Sequence, residues 1–290
     1  MSFFYQKNEF SHINKKEEVF FYHARYLAQV RLRDALYNTF FFPVEKNLTK
    51  TWMREGHFSS LLEKKGLLRR GIEYELPDDL FVYIDPRELI KIRNWSGFHS
   101  RDQPSSSCFI WKGDWDLSRG DLRTNSRYRF VTDIAYCRYD LSQTHFFKEA
   151  KKKIEAGKPW SCHHRKVILN TDEKILKFLD VYLGFIDDMR LNGFDLSKGK
   201  DELGVAVSRE GKLIKINRGL HRLAMAQYLG LPSVPVKVKA VHRAWWEKVT
   251  EHTHGAEALE RVVEALPHCV PETEPGTLDP HESPKHFTWP

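Results

Sequence analysis

Apolar and polar positions recur along the chain with two periods, and these periods predict its helices and strands. Between residues 17 and 41 apolar side chains return every three or four positions, which predicts an amphipathic helix with one buried face. The helical period returns at 58–65, 128–157 and 172–192, and Asn192-Gly193 closes the last of these. The first two thirds of the chain are therefore predicted to be mainly helical.

The following segment has a compact pattern of strands around one helix. Two strand-like runs, 203–209 and 212–216, are joined by Glu210-Gly211, which favours a hairpin. A helical run from Gly219 to Leu229 follows. Residues 234–241 then alternate apolar and basic side chains in part, as a half-exposed strand does. The predicted fold class is α+β.

Three segments are expected from this organisation. Residues 1–195 would form a mainly helical region with aromatic loops, and residues 196–255 a small α/β unit. From residue 266 to residue 290, six prolines occur among charged side chains, a composition typical of a disordered tail.

Composition narrows the class of protein. The chain has 290 residues, is 41% hydrophobic and contains 19 Phe, 11 Tyr and 8 Trp, so a sizeable core is expected. No apolar run reaches the roughly 20 residues that would span a bilayer, and the first residues lack the pattern of a secretory signal. The four cysteines are far apart, which supports neither structural zinc nor a disulfide framework. A cytoplasmic location is expected.

The net charge indicates which ligands the protein could bind, because basic residues outnumber acidic ones. The chain has 46 Lys and Arg against 39 Asp and Glu, a net charge of +7, which permits binding to nucleic acid, to nucleotide phosphates or to an anionic membrane. Between Val205 and Arg243 only Glu210 opposes eight basic residues. Three of these basic residues lie on predicted strands, where they are expected on a solvent face or, alternatively, along an anionic groove. They are Lys215, Lys237 and Lys239.

Candidate chemistry lies where the helix at 219–229 begins. The first turn of a helix leaves backbone N–H groups unpaired and carries a partial positive charge, so it favours anions. Gly219 permits an unusual φ, Arg222 can bind two phosphate oxygens, and His221 adds a donor. These features predict a phosphate site. The alternative is a helix whose basic residues face water, which is also the simpler interpretation of Arg218.

The run Gly219-Leu220-His221-Arg222, with the ending Leu-Gly-Leu-Pro-Ser-Val-Pro-Val at 229–236, resembles the ParB/sulfiredoxin superfamily over about residues 201–246. In that superfamily this helix start holds nucleotide phosphates, so the resemblance implies binding of ATP, ADP or CTP with Mg²⁺. Sulfiredoxins carry a catalytic cysteine where Leu220 stands, so reduction of a sulfinic acid is not expected. The His-Arg pair is closer to the branch that includes free-serine kinases.

The function expected from the resemblance is nucleotide-dependent phosphoryl transfer to a small acceptor. Arg218, Gly219, Leu220, His221 and Arg222 would bind the nucleotide, and His221 is also a catalytic candidate. Asp201 and Glu202 precede the first strand, where related kinases position acidic groups. Glu202 is the candidate base, and a polar loop is the alternative.

Two other classes of function stay open. One is a non-catalytic binding protein, nucleotide-gated or DNA-associated, although no helix-turn-helix pair follows the motif. The other is a scaffold whose helix start binds nothing. The acceptor, the oligomeric state and the role of the N-terminal region are not predicted.

Three further clusters contain residue types that occur in functional sites. Asp114 and Asp116 lie in a tryptophan-rich loop, as metal ligands or as ordinary turn residues. Cys162-His163-His164 is not expected to bind zinc, because adjacent side chains of an extended chain point in opposite directions. Lys151-Lys152-Lys153 is predicted to be an exposed helix face, with nucleic acid as a second interpretation. No residue is assigned to a metal site.

Overall fold

The chain forms two compact units, which we call unit 1 and unit 2. Unit 1 comprises residues 1–37 and 126–199, and unit 2 comprises residues 38–125 and 200–290. The expected N-terminal region 1–195 is therefore divided between the two units, because residues 81–121 supply strands to the sheet formed by the C-terminal segment. The computed structural model describes residues 9–14, 28–54, 59–94, 99, 103–162, 167–199, 202–216, 218–279 and 287–290.

The protein has mixed α and β structure, as predicted. The helices are α1 Phe42–Met53, α2 Ser59–Lys64, α3 Arg69–Glu75, α4 Ser126–Tyr136, α5 His145–Glu155, α6 Asp172–Asn192, α7 Leu220–Leu229, α8 Arg243–Thr250 and α9 Gly255–Ala265. The strands are β1 Phe81–Ile84, β2 Lys91–Arg93, β3 Ile110–Trp111, β4 Arg119–Asp121, β5 Trp160–Cys162, β6 Val167–Leu169, β7 Gly204–Val207, β8 Lys212–Lys215, β9 Val234–His242 and β10 Val270–Pro271.

The first predicted helix differs from the structure in its end and in its buried face. Residues 28–36 are helical, and a π-helical turn at Tyr37–Phe41 leads into α1, so helical structure extends well beyond residue 41. Pro43 lacks an amide hydrogen, which fits the widened turn before it. Leu32 is 63% exposed and Leu36 is 46% exposed, so the apolar stripe is not buried there. The rest of the prediction lies outside the described residues.

Helix α6 forms the centre of unit 1, and its predicted span is confirmed. The Thr171 side chain accepts a hydrogen bond from the Lys174 amide, and Gly193 with φ +72° follows the last turn. The apolar stripe of α6 is buried, as expected for an amphipathic helix. Its buried members are Ile175, Phe178, Leu179, Tyr182, Ile186 and Met189.

The predicted helix at 128–157 is instead two helices, α4 and α5. A 3₁₀ turn at Leu141–Gln143 separates them. Asp140 accepts from the Ser142 amide, and Thr144 accepts from the Phe147 amide at 3.1 Å, which caps α5. Side-chain caps of this kind compete with a continuous helical ladder, which explains the break.

Unit 2 is built on an eight-stranded mixed sheet. The order is β1-β9-β7-β8-β2-β4, with β3 beside β9 and β10 beside β8. The predicted hairpin is present, since β7 and β8 pair antiparallel. All nine residues of β9 are buried, so its prediction as a half-exposed strand is wrong. β9 lies inside the sheet between β1 and β7, and the lysines expected to face solvent are covered by the acidic partners Glu202 and Glu73.

The segment expected to be a disordered tail is folded where the structure describes it. After a 3₁₀ turn at Leu266–His268, β10 pairs in parallel with β8. The Glu272 carboxylate lies 2.8 Å from the buried Arg119 guanidinium, and Asp279 accepts a hydrogen bond from the Arg119 amide. The prediction from composition is wrong here, because Glu272 pairs with the Arg119 guanidinium and Asp279 accepts from the Arg119 amide.

Candidate functional site

Helix α7 begins at a glycine whose backbone only glycine adopts easily. Gly219 has φ +87° and ψ 8°, in the left-handed region, and provides no side-chain cap. A Cβ atom at this position would lie 2.8 Å from Leu203 Cδ2 and 3.3 Å from the Glu202 carbonyl oxygen. The glycine thus permits both the turn and the close approach of the chain before β7. The first turn of a helix leaves backbone amides without intrahelical partners, which favours an anion at this position.

The predicted nucleotide-binding residues surround this helix start. Leu220, His221 and Arg222 are half-buried in the first turn, and Arg218 is exposed immediately before Gly219. Arg218, His221 and Arg222 each interact with other groups of the chain. Three basic side chains therefore gather at the positive end of a helix, an arrangement that favours a negatively charged ligand.

Lys215 stabilises the turn before Gly219 by a hydrogen bond to its backbone. Its side chain is fully buried, and its ammonium donates to the Arg218 carbonyl at 2.6 Å and to the Gly204 carbonyl at 3.1 Å. The prediction that Lys215 lies on a solvent face is wrong. A buried ammonium needs such acceptors, and here they fix the backbone that leads into α7.

Lys237 and Lys239 are also internal, and Glu202 lies between them. The Lys237 ammonium is 3.0 Å from the Glu202 carboxylate, and Lys239 bonds both to Glu202 and to Glu73, the latter at 3.0 Å. Both lysine side chains are about 10% exposed. Their prediction as a solvent face is wrong, because acidic partners come from segments remote in sequence. The alternative of an exposed anionic groove along these strands fails for the same reason.

The Glu202 backbone lies close to Gly219, and its carboxylate is arranged as a counter-ion for Lys237 and Lys239. Burial by itself would raise the pKa of its carboxyl, and the hydrogen bonds and charges of Lys239 and Lys237 outweigh this effect and lower it. A carboxylate with a lowered pKa accepts protons weakly. A catalytic base at Glu202 would first have to leave both lysines.

Asp114 and Asp116 share a cation from the chain itself. The Asp116 side chain is 0% exposed, and it accepts from the Arg209 amide at 2.9 Å and from the Arg209 guanidinium at 2.8 Å. Asp114 is 2.9 Å from the same guanidinium and 64% exposed. This replaces the metal-ligand interpretation by an ion pair. Across the described residues, no group of three or more His, Cys, Asp and Glu side chains is placed to hold a metal ion.

Several groups near the site carried no sequence signal, and some predicted residues cannot be placed. Glu73 comes from α3, far from β9 in sequence, so its pairing with Lys239 depends on the fold alone. Lys215 resembles any basic residue of an alternating strand. Asp201, His163 and His164 lie outside the described residues.

Comparisons with protein families, with curated proteins and with solved structures found no match to this chain. None of the helices within the described residues combines the length and apolar character needed to cross a membrane. Function therefore has to be argued from the site itself.

Replacing Glu202 by glutamine is expected to destabilise the protein at pH 7. The amide cannot neutralise Lys237 and Lys239, which stay largely buried. Because the folded pKa of Glu202 is lowered, its contribution is present above about pH 4.3 and declines as the pH falls through the folded value. Urea unfolding at a series of pH values should show a difference from wild type that shrinks below about pH 4.

The matched control is Glu247→Gln, which removes a half-exposed acid that is 3.7 Å from Arg243 on α8. This variant is expected to unfold like wild type, since exposed ion pairs contribute little. A Glu202→Gln variant with wild-type stability at every pH would contradict the counter-ion role.

Proposed function

We propose that unit 2 binds a nucleotide through its phosphates at the start of α7. The observation that carries this proposal is the left-handed, uncapped Gly219 with Arg222 and His221 in the turn that follows. Amides at a helix start and a guanidinium are complementary to phosphate oxygens. The buried Lys215 holds the preceding backbone in place, so little ordering is needed when an anion binds.

Phosphoryl transfer to a small acceptor is the reaction that the resemblance suggests for this site. Mg²⁺ is usually bound by one or two carboxylates together with the phosphates of the substrate, so the ion would arrive with the nucleotide. Glu202 is the candidate carboxylate, and it is engaged by Lys237 and Lys239. The residues therefore fit a phosphate more closely than a metal, and support nucleotide binding more strongly than catalysis.

Arg222→Ala is expected to weaken nucleotide binding at least tenfold. Charge-assisted hydrogen bonds contribute about 1.5–3 kcal/mol each, and a bidentate contact makes two of them. Titration calorimetry with ATP, ADP and CTP, with and without Mg²⁺, measures the change. Arg261→Ala is the matched control, because Arg261 lies on α9 and pairs with Glu251 and Glu257. Equal affinities in wild type and Arg222→Ala would exclude Arg222 from the site.

The binding-only alternative predicts nucleotide affinity without turnover. Incubation with ATP and Mg²⁺, with and without small hydroxyl-bearing acceptors, distinguishes the kinase proposal from the binding-only alternative. The kinase proposal requires formation of ADP that depends on the acceptor. If no nucleotide raises the melting temperature, the scaffold alternative is favoured.

A further inference from the structure

The excess positive charge of the chain belongs to unit 1. The segments of unit 1 contain 20 Lys and Arg against 14 Asp and Glu, a net charge of +6. Unit 2 contains 26 against 25, a net charge of +1. The strand lysines of unit 2 are also internal, as described above. A surface that attracts a long polyanion such as nucleic acid is therefore expected in unit 1.

Unit 1 has a shallow cavity of about 410 Å³, widely open to solvent, where α5 ends and β5 begins. Three of the residues around it are lysines and one is acidic. The lysines are exposed, and Lys152 pairs with Glu149 at 2.9 Å across the helix surface, an interaction that solvent weakens. The lining residues are Glu149, Lys152, Lys153, Ala156, Lys158, Pro159 and Trp160.

A hydrogen-bonded glycine turn forms the backbone beside this cavity. Gly157 has φ +67°, its amide donates to the Ile154 carbonyl, and the Lys158 amide donates to the Lys153 carbonyl, both at 2.9 Å. This glycine closes α5, and Pro159 then restricts the backbone that leads into β5. These contacts connect the backbone of Lys158 and Trp160 to the last turn of α5.

Trp160 provides the aromatic wall of the cavity. Its ring packs on Phe146 and Phe178, with centroid distances of 5.9 Å and 5.1 Å, and its side chain is half-buried. The ring is thus anchored against the aromatic core of unit 1, and Trp160 also lines the cavity. An anchored ring beside cationic side chains is suited to binding a nucleotide, with the base stacked on the ring and the phosphates in contact with the lysines.

We propose that this cavity binds single-stranded nucleic acid, with phosphates on Lys152, Lys153 and Lys158 and a base against Trp160. Duplex DNA offers the same phosphates, but its bases are stacked inside and cannot reach the ring. An anionic membrane would also attract the lysines. Membrane binding, however, needs an aromatic side chain that projects into the lipid, and Trp160 is half-buried. The observed combination favours the single strand.

The test is the binding of a fluorescently labelled oligothymidylate, measured by anisotropy over a salt series. Wild type is expected to bind at low salt with an affinity that falls as salt rises. Changing Lys152, Lys153 and Lys158 together to glutamine should lower the affinity at least tenfold. It should also reduce the slope of log K against log salt by about 2, since each contact with a single strand contributes about 0.7.

Trp160 is tested separately, because base stacking changes the affinity without changing its salt dependence, whereas phosphate contacts change both. Trp160→Leu is expected to lower the affinity roughly tenfold while leaving the salt slope unchanged. Trp160→Phe keeps an aromatic ring in the core and should retain most of the affinity. Trp160 is the only tryptophan in the sequence of unit 1, so quenching of its fluorescence by the oligonucleotide should disappear in Trp160→Phe.

The control carries the same charge change elsewhere in unit 1, at Lys174, Lys177 and Lys198, none of which lines the cavity. It should bind like wild type. The proposal is overturned by absence of binding at low salt, by an equal loss in the control, or by duplex binding that is as tight and independent of Trp160. Lysine-dependent binding to vesicles containing phosphatidylserine, without binding to the oligonucleotide, would assign the surface to membranes instead.

Discussion

Replacing Asp116 by alanine is expected to destabilise unit 2 by about 2–3 kcal/mol, because the Arg209 amide loses its acceptor and the guanidinium keeps only the exposed Asp114 as an acidic partner. The fully buried carboxylate accepts from both the amide and the side chain of Arg209. Burial alone would raise the pKa of Asp116, and the hydrogen bonds and positive charge of Arg209 outweigh burial and lower it. The stabilisation is therefore present at neutral pH and is lost as acid protonates the folded state.

Urea unfolding followed by tryptophan fluorescence measures this effect, since seven of the eight tryptophans belong to unit 2. Asp114→Ala is the matched control. It removes a carboxylate at 2.9 Å from the same guanidinium, but Asp114 is 64% exposed, so a change below about 1 kcal/mol is expected. Equal losses in the free energy of unfolding of the two variants would show that the burial of Asp116 does not strengthen the ion pair.

Gly219→Ala is expected to lose stability and nucleotide binding together. The left-handed backbone costs a non-glycine residue roughly 1–2 kcal/mol, and the added Cβ would lie 2.8 Å from Leu203 Cδ2. Relief of this contact moves the turn that carries the α7 amides. We expect a destabilisation of about 2–4 kcal/mol, with ATP affinity reduced in the fraction that remains folded.

Gly113→Ala separates backbone strain from crowding. Gly113 has φ +90°, close to that of Gly219, and an added Cβ there meets nothing within 4 Å. This control is expected to cost about 1 kcal/mol and to bind ATP like wild type. Thermal unfolding and calorimetry on the same samples give both quantities. A Gly219→Ala variant as stable as Gly113→Ala would show that the approach to Leu203 is unimportant.

Elements with strong local signals were predicted well from the sequence. Helix α6 has the Thr171 cap, a regular apolar stripe and Gly193 at its end, and all three signals act within a few residues. The hairpin of β7 and β8 and the glycines at both ends of α7 are of the same kind. The break between α4 and α5 was missed, because the side chains of Asp140 and Thr144 compete with a helical pattern that continues across them.

The helix start that carries the candidate site was predicted, and the surroundings of that helix start were predicted only in part. Gly219, His221 and Arg222 lie together at the start of α7, where a local motif places them. The surroundings of Glu202 were not predictable in this way, because they depend on Lys237 and Lys239 of another strand.

The sequence by itself determined where most helices and strands occur and where α7 begins, because caps, glycine turns and apolar periods act over short distances. Only the tertiary structure decided which charged residues are internal. Alternating valine and lysine is compatible with a half-exposed strand and with a buried strand whose lysines are paired, and Asp116 meets Arg209 across 93 residues of sequence. The free energy of a charge depends on its burial and its partners, and both are set by contacts between distant segments.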